Sequence, residues 1–208
     1  MRTWLGRVAV LLVLALARSP ATPVEAQGGS ADVDDAVALG ASLAYLQARA
    51  SELGIRDAQQ EFRLRRVVRD ARGQTHVRLE QVYQGIPVWG QQLIVHIDPG
   101  GAPRSVTGAY LPGIAVSTRA VISSEQARTI AYQRFPGPLT GTPEPDLVLY
   151  PRDGRVCLVF RVVLSDDTTP RRIVVFVDAT TGQIVDSYDD LRTLAPADPP
   201  ERGSTRCP

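Results

Sequence analysis

The chain has two histidines, and both lie in one stretch, HVRLEQVYQGIPVWGQQLIVHID, from His76 to Asp98. Two imidazoles flanking an aromatic, glycine-containing turn are either two metal ligands or two strand residues. A zinc site needs at least three protein ligands, and closed structural sites take four. No cysteine lies near either histidine, and the sequence contains no His-Glu-x-x-His pair. His76 and His96 therefore read as strand positions and possible cross-strand neighbours. No metal or other cofactor is expected.

Other chemistries fail on similar grounds. No Gly-x-Ser-x-Gly elbow stands with a partnering histidine, and no glycine loop is suited to cradling phosphate. The aspartate pairs Asp34-Asp35, Asp166-Asp167 and Asp189-Asp190 are sequence neighbours. Neighbours on a strand point apart, so these suit turns, caps and solvated ends better than an acid/base dyad. Cys157 sits in an apolar strand pattern and Cys207 in a polar tail. They read as one buried inert thiol and one exposed thiol, with a Cys157–Cys207 disulfide as the alternative. No catalytic residue emerges, and an enzyme is not expected.

The composition is globular, with 44% hydrophobic and 22% charged residues and a net charge of +1. That balance offers no electrostatic footprint for nucleic acid and no polybasic anchor for lipid. Lysine and asparagine are absent, so every basic residue is arginine. Both missing residues need A/T-rich codons, which points to a GC-rich, bacterial genome. Residues 1–26 read as a signal peptide: an arginine-flanked apolar run, VAVLLVLALA, then a polar stretch ending Val24-Glu25-Ala26. No cysteine follows the cleavage site, which argues against a lipid anchor. The mature chain is expected to be exported, with no membrane anchor.

The elements that would position any site follow from periodicity. Leu39, Leu43, Leu46, Ala50 and Leu53 recur at helical spacing, after a cap at Asp32 and before Gly54. EFRLRRVVRD, HVRLEQVY and QQLIVHID alternate as strands, separated by turns at 70–73 and by Gln84-Gly85 with IPVWG. A short strand follows near Ser105 to Ala109. Residues 112–120, with Pro112 and Gly113, form a connector. Ser123 and Gln126 then make a capping box for a helix to about Arg134, with Ile122 placed to staple against Ala127. DLVLYP, RVCLVFRVVL, RIVVFVDA and QIVDSY follow as strands. The expected class is α+β, two small helix-plus-antiparallel-sheet domains at 27–111 and 121–190, with a disordered tail at 191–208.

The stretch from His76 to Asp98, followed by a glycine turn and SVTGAY, resembles the fungalysin/thermolysin propeptide (FTP) motif. The matching residues are His76, Val77, Arg78, Gln81, Tyr83, Gly85, Pro87, Val88, Gly90, Val95, His96 and Gly108. The second half, from ISSEQA to VDATTGQIVDSYD, resembles a PepSY domain. The resemblance implies an FTP-like domain followed by a PepSY-like one, the propeptide pair of thermolysin-like zinc metalloproteases. In those precursors the pair assists folding of the protease and inhibits it. No zinc motif follows Tyr188 here, so the implied role is a stand-alone propeptide-like partner of such a protease, acting in trans. A secreted PepSY-type binding module with another ligand, or a remnant of a precursor, remains open. Tyr83, Gly85, Ile86, Pro87 and Trp89 are the candidate partner-binding residues. Trp89 has two readings, an exposed anchor or a packed hairpin residue.

Overall fold

The computed structural model describes residues 29–168 and 171–191, with side chains from residue 34 onward. The signal-peptide reading, the tail from residue 192, Cys207 and the Asp32 side chain lie outside the described residues.

Three helices open the fold: α1 (Gly29–Ala48), α2 (Ala50–Leu53) and α3 (Ala58–Glu61). The helix begins at Gly29, so Asp32 lies inside it rather than ahead of it. The expected stripe packs as one face, with Leu46 fully buried and Leu39, Leu43, Ala50 and Leu53 against the same core. Gly54 ends α2 in the left-handed region at φ 73°, returning its N–H to the Ala50 carbonyl. The short α3 was not legible from periodicity. It is held by polar contacts instead, since the Asp57 carboxylate accepts from the N–H groups of Gln59 and Gln60.

Four strands complete this half: β1 (Phe62–Arg69), β2 (Thr75–Tyr83), β3 (Ile86–Ile97) and β4 (Pro103–Ala109), all antiparallel to their neighbours. The expected turn through IPVWG is corrected by the structure. Only Gln84 and Gly85 turn, with φ of 50° and 81°, and Tyr83 pairs directly with Ile86. Two positive φ values define the tight hairpin whose twist matches its strands. Residues 86–90 are therefore strand, and Gly90, at φ 75°, marks a shift in register. Gly108 is constrained more tightly. A Cβ there would fall 2.1 Å from the Gln92 carbonyl oxygen, and φ is 121°.

The second half has α4 (Ser124–Arg134), then β5 (Asp146–Arg152), β6 (Arg155–Asp166), β7 (Arg171–Asp178) and β8 (Ile184–Asp189), an antiparallel meander. The capping box forms as read, with Ser123 and Gln126 each accepting from the other's backbone N–H. Ile122, Ala127 and Ala131 pack α4 onto one face of the sheet, over Leu158, Phe160, Val175 and Val177. The opposite face buries Val148, Cys157, Val159, Val174 and Phe176. Cys157 is disulfide-bonded, which replaces the reading of an inert thiol.

The two halves are fused through the sheet itself, in the order β1-β2-β3-β5-β6-β7-β8 with β4 also paired to β3. The join is a short parallel pairing with Val88 opposite Leu149. The connector is not a loose tether. Gln81 is 2% exposed, and its amide donates to the Leu111 carbonyl at 2.7 Å and accepts from the Leu111 N–H at 2.9 Å. Ile114 is buried in the second core, and the N–H groups of Val121 and Ile122 share the Ala179 carbonyl.

Two substitutions test this account. Gly108→Ala should destabilise the chain by about 3 kcal/mol or more, because backbone must move to admit the methyl. Gln81→Leu should cost about 2–3 kcal/mol by leaving the Leu111 amide groups unpaired. Urea unfolding read by tryptophan fluorescence measures both. Parent-like midpoints would contradict the close approach in the first case and the amide clamp in the second.

Candidate functional site

The five candidate residues do not act as one cluster. Tyr83 and Ile86 pack against the second core. Gly85 serves the hairpin turn. Pro87 and Trp89 line an open cleft of about 680 Å³ at the seam between the halves. Pro87 sits near the start of its strand, where a missing N–H is tolerated.

The cleft is built from both halves. β1 contributes Arg63 and Arg65, β2 Glu80, β5 Asp146 and β6 Arg161. Glu80 takes Arg63 at 2.7 Å and Arg65 at 3.6 Å. Arg161 pairs with Asp146 and lies 5.0 Å from the Trp89 ring centroid, a cation–π contact. Its Nε is buried and has no hydrogen-bond partner among the described residues. Trp89 fulfils part of each reading. Its edge packs on Phe176 at 5.4 Å between centroids, while the ring stays half-buried. Phe176 is fully buried, with Tyr150 stacked on it at 4.3 Å. Tyr150 donates to Asp186 at 2.5 Å, and burial followed by that carboxylate pushes its phenol above the usual range.

From the cleft an uncovered sheet face runs across β1 to β4, opposite the helices. Register places Arg63 against Glu80, Arg66 against Arg78 and Val68 against His76. Arg65 is the extra residue of a bulge. Sequence reading saw these arginines as the exposed half of a strand. It missed their gathering with Glu80, Asp146 and Arg161. The dense run in EFRLRRVVRD was the available signal.

His76 and His96 are cross-strand partners on this face. Their Nδ1 atoms lie 2.8 Å apart and are hydrogen-bonded to each other rather than aimed at a common point. Asp70 lies 3.3 Å from His76 Nε2, and Thr107 Oγ1 lies 2.8 Å from His96 Nε2. One proton arrangement satisfies every member with both rings neutral. Thr107 donates to His96, His96 Nδ1–H to His76, and His76 Nε2–H to Asp70. A further proton at the central contact would set N–H against N–H. The His96 imidazole is held below its ordinary pKa by burial and then by His76. The aspartate pairs are structural: Asp35 bridges to Arg69 at 2.9 Å, Asp166 caps Thr168, and Asp190 meets Arg172 at 3.3 Å. Among the described residues, no group of three or more His, Cys, Asp or Glu is placed to hold a metal ion.

Residues 60–110 match the Fungalysin/Thermolysin Propeptide Motif, and residues 121–188 match the Peptidase propeptide and YPEB domain. The first match ends at the foot of the connector, and the second covers α4 through β8. The chain is 27% identical over 157 residues to Bacillolysin of Bacillus cereus, covering 71% of this chain and 28% of that protein. It is 30% identical over 139 residues to Thermolysin of Alicyclobacillus acidocaldarius, covering 61% of this chain and 25% of that protein. The chain thus spans about a quarter of the relatives it matches, and the matched part is their N-terminal propeptide region. A solved structure, the Bacillus megaterium YpeB C-terminal domain, aligns at TM-score 0.38 and 12% identity over 74% of this chain and 64% of that one. Both propeptide modules are thus present in one chain, which over this part is similar to the propeptide regions of the thermolysin-like metalloproteases.

A pH test follows from the histidine chain. Lowering the folded pKa of His96 favours its neutral form, so this contribution to stability is present above the unfolded value near 6.5. It is lost as pH falls through the lower folded value. Asp70, also held low, chiefly by backbone N–H groups, loses its contribution only in the acid range. The urea midpoint should therefore fall between pH 7.5 and about 5.5, and His96→Gln should flatten that fall. A midpoint independent of pH over this window would contradict the neutral chain.

Proposed function

We propose that this chain is an exported propeptide-like protein that binds the catalytic domain of a thermolysin-like zinc metalloprotease, inhibiting it and assisting its folding. The observation that carries the reading is the presence of both propeptide modules, in order, at residues 60–110 and 121–188. The fused sheet supports it, because the modules share a strand and present one continuous surface to a partner. The apolar leader and polar cleavage stretch at 1–26 support export. Among the described residues, no helix is long and apolar enough to cross a membrane.

Chemistry in this reading belongs to the protease. The chain's own contribution is surface: the Trp89 cleft, with Pro87 beside it, and the arginine-bearing sheet face that continues from it. Supplied in trans, the chain would not have the effective concentration of a tethered propeptide, about millimolar for a short linker. It must therefore bind through an interface of roughly standard size, about 1,600 Å² in total.

The test is to add the purified chain, leader removed, to the thermolysin-like protease secreted by the same organism. Peptidase activity and recovery of activity after denaturant dilution are followed. Inhibition at or below about micromolar concentration, or a raised refolding yield, is expected. Neither effect would favour a secreted binding module with a different ligand.

A further inference from the structure

The uncovered face of β1 to β4 carries an arrangement that costs the free chain stability. Arg66 and Arg78 stand directly opposite each other on neighbouring strands. Like charges in that position repel. Among the described residues neither has a carboxylate partner, and Arg78 is steadied only by Gln92 Oε1 at 3.2 Å. Glu80 is the one acid on these strands facing the same way, and Arg63 and Arg65 already occupy it. The chain as a whole carries a net charge of only +1, so the positive charge is local to this face rather than general.

Apolar groups accompany the charge. Val68 is 38% exposed, and Ile94, in register with Arg78, is half-buried on the same side. Among the described residues, helices cover only the other side of this sheet. Four strands at ~4.8 Å spacing and about seven residues at ~3.3 Å make a patch roughly 19 Å by 23 Å. That is about half of one side of a standard interface, and the Trp89 cleft at its edge extends it.

We propose that this face is the docking surface for an acidic region of the metalloprotease, whose carboxylates bridge Arg66 and Arg78. The inference rests on the protease-binding reading above and names the surface and the partner chemistry that serve it. Guanidinium forks suit this role because each can hold a carboxylate through two parallel N–H donors. A bridging carboxylate converts the Arg66–Arg78 repulsion of the free chain into two attractions. The partner thus removes a penalty as well as adding contacts. Charged groups at such a face act mainly on the association rate, and salt screens them.

The experiment compares the full chain, leader removed, with an Arg66→Gln/Arg78→Gln double variant and with Arg119→Gln/Arg134→Gln. The second pair makes the same charge change on the connector and α4. Association and dissociation rates with the protease are measured at about 50 mM and 500 mM salt, beside thermal midpoints of the free chains. The double variant should bind about tenfold more weakly at low salt, mostly through slower association, and approach the parent at high salt. Its thermal midpoint should equal or exceed the parent's, which a merely structural role for the arginines would not produce. The control pair should bind like the parent. Single Arg66→Gln, at an exposed position, carries the test if the double variant does not fold. Parent-like binding by both arginine variants overturns this inference and leaves protease binding intact. No binding by the parent overturns both readings. Arginine-dependent capture by phosphatidylserine vesicles, with protease binding unchanged, assigns the face to lipid and overturns it as well.

Discussion

β3 is hydrogen-bonded to β2 along one edge, while its other edge changes partner. Val88 pairs in parallel with Leu149 of β5, and from Gln92 onward the strand pairs with β4. Gly90 lies between the two, at a φ that L side chains rarely adopt. One strand therefore serves both halves, and its twist fixes how the first sheet meets the second. The cleft at the seam exists because β3 departs from β5 there, leaving Trp89 with Phe176 on one side and Arg161 above it.

Polar as well as apolar contacts cross this junction. The Gln81 amide satisfies the backbone of Leu111 in a position otherwise closed to water. Asp178, 3% exposed, accepts from the N–H groups of Thr180 and Thr181 and so fixes the turn whose Ala179 carbonyl receives the N–H groups of Val121 and Ile122 just ahead of α4. The Tyr110 hydroxyl donates to Glu61 and lies 3.3 Å from the Gly54 carbonyl oxygen, tying the end of β4 to the helical layer. Gln81 and Asp178 are buried polar side chains whose pairing avoids a free-energy cost, so the connector behaves as part of the fold.

The two faces of the first sheet have been put to different uses. One is apolar and covered by α1 to α3. The other keeps arginines in unfavourable register together with a pair of histidines that share a proton. A sheet selected for stability alone would place opposite charges across those strands. The departure from that rule fits a surface whose partner is a second molecule.

Local pattern in the sequence determined most of the elements. Strict alternation placed His76 through Tyr83 on a strand and made His76 and His96 candidate neighbours. The Ser123–Gln126 spacing fixed the start of α4, and the leucine stripe fixed the face of α1. These are short-range consequences of a period of 2 or 3.6 and of cap chemistry. Residues 86–90 were misread as turn because proline and glycine signal breaks locally. Only tertiary pairing with β2 and β5 makes strand of them. The same holds for the site. Pro87 and Trp89 could be singled out from sequence, whereas Arg161 lies more than seventy residues away from Trp89 and reaches it only through the β3–β5 join. The opposition of Arg66 and Arg78 depends on a one-residue bulge at Arg65. A shift of one residue reverses which side chains face each other. Register is set by the sum of pairings across the sheet, and no local stretch of sequence contains it.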